Sequence, residues 1–198
     1  MPTPRQELAD AIDMFEGGYQ DQWTDLINIV NGKMVGTMRG VSPPALAKHR
    51  GVPIESLTPE IMKTVTADEA ADIGEDHYYF GTGLDRLAWG PATAALVDIG
   101  WGSGPRQAVL FAQRFASVPD DGVVGPITIA AYRDKATADW AGATREIRAQ
   151  RIVFYDMIIR NHPAWEIYRK GWMRRADWFS PDNAAWWGKW EAELKATT

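Results

Sequence analysis

Helix-start signals recur along this chain and constrain its fold more than any other feature. A hydroxyl residue stands directly before a proline at Thr3-Pro4, Ser42-Pro43, Thr58-Pro59 and Ser180-Pro181. A hydroxyl can cap the free backbone N–H groups of a first helical turn, and proline fits the first helical position. These signals and the apolar spacing predict helices near residues 4–16, 43–50, 59–65, 67–79, 91–100, 105–117, 126–138, 141–160 and 181–195. We therefore expect a mainly α protein.

One segment departs from the helical pattern. Asn31-Gly32 is a favoured two-residue hairpin turn, and apolar and β-branched residues flank it on both sides. The pattern predicts one small β-hairpin near residues 25–37. Gly81-Thr-Gly83 then separates the hairpin-bearing part from a purely helical remainder. We expect two helical, bundle-like lobes, residues 1–88 and 89–198, that pack together.

Composition excludes several kinds of function. The chain has no cysteine, which rules out disulfide scaffolds, cysteine-ligated metal sites and thiol nucleophiles. Its three histidines lack metal-ligand spacing, so we expect neither a metal nor a cofactor. The net charge of −5 argues against nucleic-acid binding. The excess of acidic residues lies before residue 140, because residues 140–198 hold 10 basic and 7 acidic side chains.

The first ten residues lack the apolar stretch and cleavage site of a secretory signal. The sequence also lacks the run of about 18 apolar residues that a membrane span requires. We therefore expect a protein that is made in the cytoplasm without a signal peptide and has no integral membrane segment.

Glu16 is the strongest candidate for a catalytic group. It ends the first predicted helix, whose unpaired carbonyl groups disfavour a negative charge, and it borders the apolar stripe of Leu8, Ile12 and Phe15. Both effects favour the protonated carboxylic acid, which a glycosidase needs in order to protonate a leaving-group oxygen. Gly17-Gly18 leaves room for a bulky substrate. A solvated glutamate in an ordinary helix is the alternative that these residues leave open.

The residues around Glu16 resemble a known signature. Phe15-Glu-Gly-Gly-Tyr19 is similar to the Glu-Gly-Gly-Tyr of glycoside hydrolase family 108, N-acetylmuramidases of the lysozyme superfamily. Four further segments resemble that family's motifs in the same order: Thr37-Met-Arg-Gly-Val-Ser42, Leu57-Thr-Pro-Glu60, Asp76-His-Tyr-Tyr79 and Asp98-Ile-Gly-Trp-Gly-Ser-Gly104. The resemblance implies a lysozyme-like α+β fold for the first lobe.

The second lobe resembles the helical peptidoglycan-binding region that accompanies this hydrolase. The matching segments are Asp121-Gly-Val-Val-Gly-Pro-Ile-Thr128, Arg151-Ile-Val-Phe-Tyr155 and Lys170-Gly-Trp-Met-Arg-Arg175. The resemblance therefore implies bacterial peptidoglycan as the partner of both lobes.

Taken residue by residue, the resemblance makes Glu16 the general acid. Asp25 falls where family members tend to have an aspartate, so it is a candidate second carboxylate, with Asp21 as its competitor. A turn-forming role for Asp25 at the start of the hairpin is the alternative. Thr37 is a candidate to hold the attacking water. Candidate substrate contacts from the matched segments are Tyr19, Arg39, Tyr78, Trp101 and Ser103.

The chain also departs from the family pattern. The Asp-Pro-Gly-Gly that usually follows the signature is absent, and Leu26 to Gly36 forms a longer segment before Thr37. Met38-Arg39 replaces Asn-Tyr, and Gly102 replaces an asparagine. These departures affect the predicted second carboxylate and sugar contacts more than the predicted acid.

Tryptophan is concentrated near the C-terminus, where residues 161–198 hold six of the ten. They are Trp165, Trp172, Trp178, Trp186, Trp187 and Trp190. We expect most of them to complete a helical core, with arginine stems packed over them. Trp186 and Trp187 point about 100° apart on a helix, so at least one is a candidate for surface contact with the cell wall.

The leading hypothesis is a muramidase of the phage endolysin type that cleaves the β-1,4 bond between N-acetylmuramic acid and N-acetylglucosamine. It would act on the periplasmic wall as a monomer, after export through a membrane pore of the holin type. A lytic transglycosylase, a non-catalytic wall-binding or phage structural protein, and a cytoplasmic regulator of secretion are the alternatives.

Overall fold

The computed structural model describes residues 1–23 and 25–196, and helices dominate it. The helices are α1 (Pro4–Phe15), α2 (Pro43–Arg50), α3 (Pro59–Met62), α4 (Ala67–Gly74), α5 (Pro91–Ser103), α6 (Pro105–Phe115), α7 (Pro126–Ala138), α8 (Trp140–Asn161), α9 (Arg169–Trp178) and α10 (Ala184–Ala196). The strands are β1 (Tyr19–Gln20), β2 (Ile29–Val30), β3 (Lys33–Met34) and β4 (Thr37–Met38). Short 3₁₀ turns span Leu26–Asn28, Ile54–Ser56, Leu84–Arg86 and Pro163–Tyr168. The predicted mainly α, lysozyme-like fold is confirmed.

Side-chain capping explains several of the helix starts, but not that of α2, where the predicted cap Ser42 makes no capping hydrogen bond with its side chain. The hydroxyls of Thr58 and Thr66 accept hydrogen bonds from the backbone N–H of the residue three positions on, at 3.3 and 3.1 Å. The start predicted at Ser180-Pro181 is wrong. The Ser180 hydroxyl accepts from the backbone N–H of Asp182 in a turn, and α10 begins only at Ala184, after Asn183 accepts from Ala185.

Two other helical segments differ from the prediction. The helix predicted over 67–79 ends at Gly74 and continues as a π-helical turn over Glu75–Phe80. Helix α9 was not predicted, because Gly171 interrupts its pattern and no side chain caps its N-terminus.

The chain divides into two compact units, and each is described by itself. The smaller unit is Pro4–His77, and the larger unit joins Met1–Thr3 to the chain from Tyr78 onwards. In the smaller unit, α1 packs on α4 through side chains that include Leu8, Ile12 and Ile73, all at most 3% exposed. Each such side chain contributes about 1.5–3 kcal/mol through burial.

Two antiparallel strand pairs complete the smaller unit. β2 and β3 form the predicted hairpin, in which Asn31 and Gly32 both adopt positive φ, 50° and 74°, as a tight two-residue turn requires. β1 pairs with β4, so that Tyr19 lies opposite Met38 and Gln20 lies opposite Thr37. This second pair was not predicted, because two-residue strands carry no alternation.

The larger unit is built around α5, in which Pro91 to Gly100 are buried at every position. α6 and α8 pack on α5, and α9 packs on α8. None of the helices in the described parts of the chain is both long and apolar enough to cross a membrane.

Candidate active site

Glu16 is the first residue beyond α1, and its backbone N–H donates to the Ile12 carbonyl at 2.8 Å. Glu16 is half-buried, whereas Gly17 and Gly18 are exposed. A Cβ atom built at Gly18 would meet nothing within 4 Å. The end of α1 therefore places the half-buried Glu16 next to the exposed backbone of Gly17 and Gly18, where a glycan can approach.

The strand pair β1–β4 ties Glu16 to Thr37. The chain runs from Glu16 through two glycines into β1, whose Gln20 lies opposite Thr37. The Thr37 hydroxyl donates to the Val41 carbonyl at 2.8 Å, so its proton is already used. Its oxygen lone pairs can still accept a hydrogen bond from water, which is the interaction that orients a water molecule for attack.

Tyr19 is held by the residues before β4. Its hydroxyl donates to the Val35 carbonyl at 3.0 Å, and the Lys63 ammonium lies 4.6 Å from its ring centroid. A Cβ atom at Gly36, where φ is +80°, would lie 2.5 Å from the Tyr19 ring, so this position requires glycine. Burial raises the pKa of Tyr19, with smaller contributions from the charges of Asp21 and Glu60. These contacts fasten β1 to the Val35–Gly36 backbone.

Asp25 is exposed and begins a turn. One of its carboxylate oxygens accepts from the side-chain amide of Asn28 at 3.0 Å, and its carbonyl accepts from the Asn28 backbone N–H at 3.1 Å. Asn28 is 2% exposed. This is the geometry of the turn-forming alternative, and it leaves the candidate catalytic role of Asp25 a prediction. Asp21, its competitor, is exposed as well.

Arg39 adopts an unusual backbone conformation. With Gly40 it forms a second two-residue turn, in which φ is 51° and 77° and Val41 donates to the Met38 carbonyl at 2.9 Å. A positive φ is uncommon outside glycine, and such strain concentrates at functional sites. The Arg39 Nε atom is buried and has no hydrogen-bond partner among the described residues.

The other predicted contact residues lie in the larger unit, at the C-terminal end of α5. The rings of Tyr78 and Trp101 meet edge to face, with centroids 5.3 Å apart. A Cβ atom built at Gly100 would lie 3.5 Å from the Tyr78 Cβ, an ordinary van der Waals contact, so Tyr78 packs directly against α5. Burial raises the pKa of Tyr78. Ser103 is half-buried and ends α5. The predicted site residues thus form two groups, one in each compact unit.

A buried ion cluster in the larger unit joins three of the segments that carry the family resemblance. Asp98 on α5 is 2% exposed, and its carboxylate oxygens lie 2.7 Å from Arg151 Nη1 and 2.8 Å from Arg175 Nη2. Burial alone would raise the pKa of Asp98, but Arg175 and Arg151 outweigh it and lower that pKa. Arg151 Nε also donates to the Tyr155 hydroxyl at 2.6 Å. Sequence analysis did not predict this cluster, although a lone acid in an otherwise apolar helix was a usable signal.

In the described parts of the chain, no group of three or more histidine, aspartate or glutamate side chains is arranged to hold a metal ion.

Comparisons with known proteins also divide the chain in two, but the boundary lies between residues 104 and 106 and not at Tyr78. Residues 9–104 match the family Glycosyl hydrolase 108, and residues 106–177 match the family described as Predicted Peptidoglycan domain. The solved structure of Brucella abortus SagA is similar in fold, with a TM-score of 0.70 and 24% sequence identity over 92% of this chain and 94% of that one. No curated protein sequence matches this chain.

Proposed function

We propose that Glu16 is the general acid of an N-acetylmuramidase, since residues 9–104 match the family Glycosyl hydrolase 108. The glycosidase domain and the peptidoglycan domain that follows it make the protein a peptidoglycan hydrolase. We propose in addition that the enzyme cleaves the β-1,4 bond between N-acetylmuramic acid and N-acetylglucosamine and that Glu16 protonates the leaving oxygen of this bond.

One observation supports this proposal above all. Glu16 is half-buried at the end of α1 and is followed by two exposed glycines, with open space at Gly18. A glycosidase needs a carboxylic acid that gives its proton to the glycosidic oxygen, and this acid must lie within reach of that oxygen. The open backbone lets the glycosidic oxygen approach closely enough to receive that proton.

The reaction then follows the chemistry of glycoside hydrolysis. Glu16 protonates the glycosidic oxygen as the C–O bond breaks, and positive charge develops on the sugar ring. Water attacks the anomeric carbon, and the Thr37 oxygen accepts one of its hydrogen bonds. Asp25 is proposed as the carboxylate that stabilises the charged ring or takes the water proton. Tyr19, Arg39, Tyr78, Trp101 and Ser103 are the proposed sugar contacts.

The test is Glu16→Gln, which keeps the shape of the side chain but has no acidic proton. We expect lysis of purified sacculi to fall at least about 10³-fold, as for the loss of a general acid, with an unchanged thermal midpoint. Asp13→Asn, at an exposed acid on the same helix, is the matched control and should keep full activity. Lysis by Glu16→Gln at the parent rate would refute the assignment.

Product masses test the bond and the role of water. Reducing N-acetylmuramic acid ends are expected from a hydrolase of this type. Anhydro-muramyl ends would identify a lytic transglycosylase instead, and release of peptides without sugar cleavage would contradict the proposal.

We also propose that the protein acts on the periplasmic wall as a monomer of the phage endolysin type, after passage through a holin-type pore. Light scattering should give a mass near 22.1 kDa. Expression in a Gram-negative host should cause lysis only when a pore-forming protein is co-expressed.

A further inference from the structure

The segment from Asn161 to Tyr168 exposes apolar side chains that a helical protein would normally bury. Every residue in it is exposed, including Ile167 at 77%, Trp165 at 44% and Tyr168 at 37%. By contrast, Trp186 and Trp190 on α10 are completely buried. Neighbouring exposed apolar residues of this size indicate a contact surface.

These rings form the outer end of an ordered aromatic column. Tyr155, only 4% exposed, lies 5.1 Å from Trp172, and Tyr168 stacks on Trp172 at 5.8 Å with ring planes 24° apart. Trp165 meets Trp172 edge to face at 6.5 Å and stacks on His162 at 4.7 Å. The exposed rings of Trp165 and Tyr168 therefore both pack against Trp172.

The inner end of the column is fixed by the ion cluster of α5. The Tyr155 hydroxyl accepts from Arg151 Nε at 2.6 Å, and the same guanidinium pairs with buried Asp98. Because the rings are already held in place, a ligand that stacks on them costs little side-chain entropy.

The charge beside the column is partly neutralised, although the exposed cations Arg160 and Lys170 flank the segment. The Arg169 guanidinium lies beside the column, but it donates to Asp156 at 2.6 Å and to Glu166 at 2.7 Å. A surface that binds anionic lipid needs cations that are not neutralised in this way. The apolar faces of sugar rings, in contrast, stack on aromatic rings without charge.

We propose that Trp165 and Tyr168 form a binding platform for the glycan strand of peptidoglycan, with the sugar rings stacked on these side chains. The platform lies within residues 106–177, which match the Predicted Peptidoglycan domain. The inference deepens the proposed function and rests on its peptidoglycan substrate, but it is independent of Glu16.

The test measures binding separately from cleavage, in the Glu16→Gln background. Trp165→Ala and Tyr168→Ala should each weaken co-sedimentation with sacculi about five- to tenfold, the equivalent of about 1–1.4 kcal/mol. Trp165→Phe, which keeps a flat ring, should recover most of the affinity. Met157→Ala removes a similarly exposed apolar side chain of the same unit, 47% exposed, and should bind like its parent.

Three probes separate glycan from other ligands: intact sacculi, glycan strands freed of peptide by an amidase, and phosphatidylglycerol vesicles. The proposal requires equal losses on intact and peptide-free glycan. A loss on intact sacculi alone would indicate peptide binding, a loss on vesicles alone would indicate a membrane surface, and unchanged binding to all three would exclude a binding role. Each of these outcomes overturns the proposal.

Failure of the two proposals can be told apart. If Glu16→Gln still lyses sacculi, the catalytic assignment fails, but a loss of glycan affinity in the platform variants would stand. If Glu16→Gln is inactive and the platform variants bind normally, only the platform proposal fails.

Discussion

The two compact units differ in how deeply the described ion pairs are buried. In the smaller unit the described ion pairs keep partial exposure to solvent, as where Arg50, 28% exposed, donates to both oxygens of Glu69, 20% exposed, at 2.7 and 2.8 Å. In the larger unit Asp98 is buried between Arg151 and Arg175, at the centre of the helical packing. A buried charge must be paired, so the larger unit can assemble only when α5, α8 and α9 bring these three residues together.

The units also differ in how their candidate functional residues are held. In the smaller unit, five of residues 31–40 have positive φ: Asn31, Gly32, Gly36, Arg39 and Gly40. In the larger unit, the exposed rings on the Pro163–Tyr168 turn instead pack on Trp172 of α9, which in turn packs on Tyr155 of α8. Backbone turns position the candidate catalytic segment, whereas side-chain packing positions the candidate binding surface.

The largest expected stability effect comes from breaking the buried cluster. Asp98→Asn leaves two guanidinium groups without their carboxylate and should lower the unfolding free energy of the larger unit by about 3–5 kcal/mol. Tryptophan fluorescence during urea unfolding measures this, because Trp23 is the one tryptophan in the smaller unit.

Asp177→Asn is the matched control for that variant. Asp177 also pairs with an arginine, Arg148, but its side chain is 57% exposed, so the loss should stay below about 1 kcal/mol. Equal losses for Asp98→Asn and Asp177→Asn would show that the buried cluster does not organise the larger unit.

A smaller effect is expected from filling the space above Gly36. In Gly36→Ala the new methyl would overlap the Tyr19 ring at 2.5 Å and also force a positive φ on alanine, so we expect a loss of about 2–4 kcal/mol. Faster amide hydrogen exchange in peptides from residues 4–77 would report it.

Gly51→Ala separates the two causes. Gly51 has φ +64° with nothing within 4 Å of a built Cβ atom, so that variant should lose only about 1 kcal/mol. If Gly36→Ala costs no more than Gly51→Ala, Tyr19 is not fastened to Gly36 as described.

The smallest effect concerns pH. The hydrogen bond from Arg50 is the main cause that lowers the pKa of Glu69 from its ordinary value of 4.5. The pair therefore stabilises the folded state above about pH 4.5, and this stabilisation is lost as the pH falls through the folded pKa. Since the side chains of Arg50 and Glu69 are still 28% and 20% exposed, solvent screens the pair in part, and the contribution should be on the order of 1 kcal/mol.

Glu69→Gln should flatten the dependence of hydrogen exchange in the smaller unit between pH 6 and pH 3.5. Glu55→Gln, at an exposed glutamate of the same unit, should behave like the parent protein. An unchanged pH dependence in Glu69→Gln would show that the Arg50 pair contributes nothing measurable.

Much of the fold was predictable because its signals are local. Thr58 and Thr66 cap their helices as predicted, and Asn31-Gly32 turns the hairpin, since each depends on neighbouring residues only. The prediction failed at Ser180, whose hydroxyl accepts a hydrogen bond from the backbone N–H of Asp182 in a turn and does not cap a helix. It also missed the pairing of β1 with β4, because the paired residues lie 17 and 19 positions apart along the chain and share no sequence pattern.

The candidate site was predictable only in part. The motif around Glu16 stood out as a helix end followed by two glycines. The strain at Arg39, the Asn28 contact of Asp25 and the Asp98 cluster depend on residues that meet only in the folded chain, so spacing alone could not identify them.

The tryptophans show which properties the sequence determines and which depend on tertiary packing. The sequence alone determined that the C-terminal region is aromatic and helical, because composition and residue spacing are properties of the chain itself. Only the tertiary structure decided that Trp190 is fully buried while Trp165 is 44% exposed. The physical reason is that burial depends on which distant helix covers a ring. That choice is made by the packing of the whole larger unit and not by the residues beside each tryptophan.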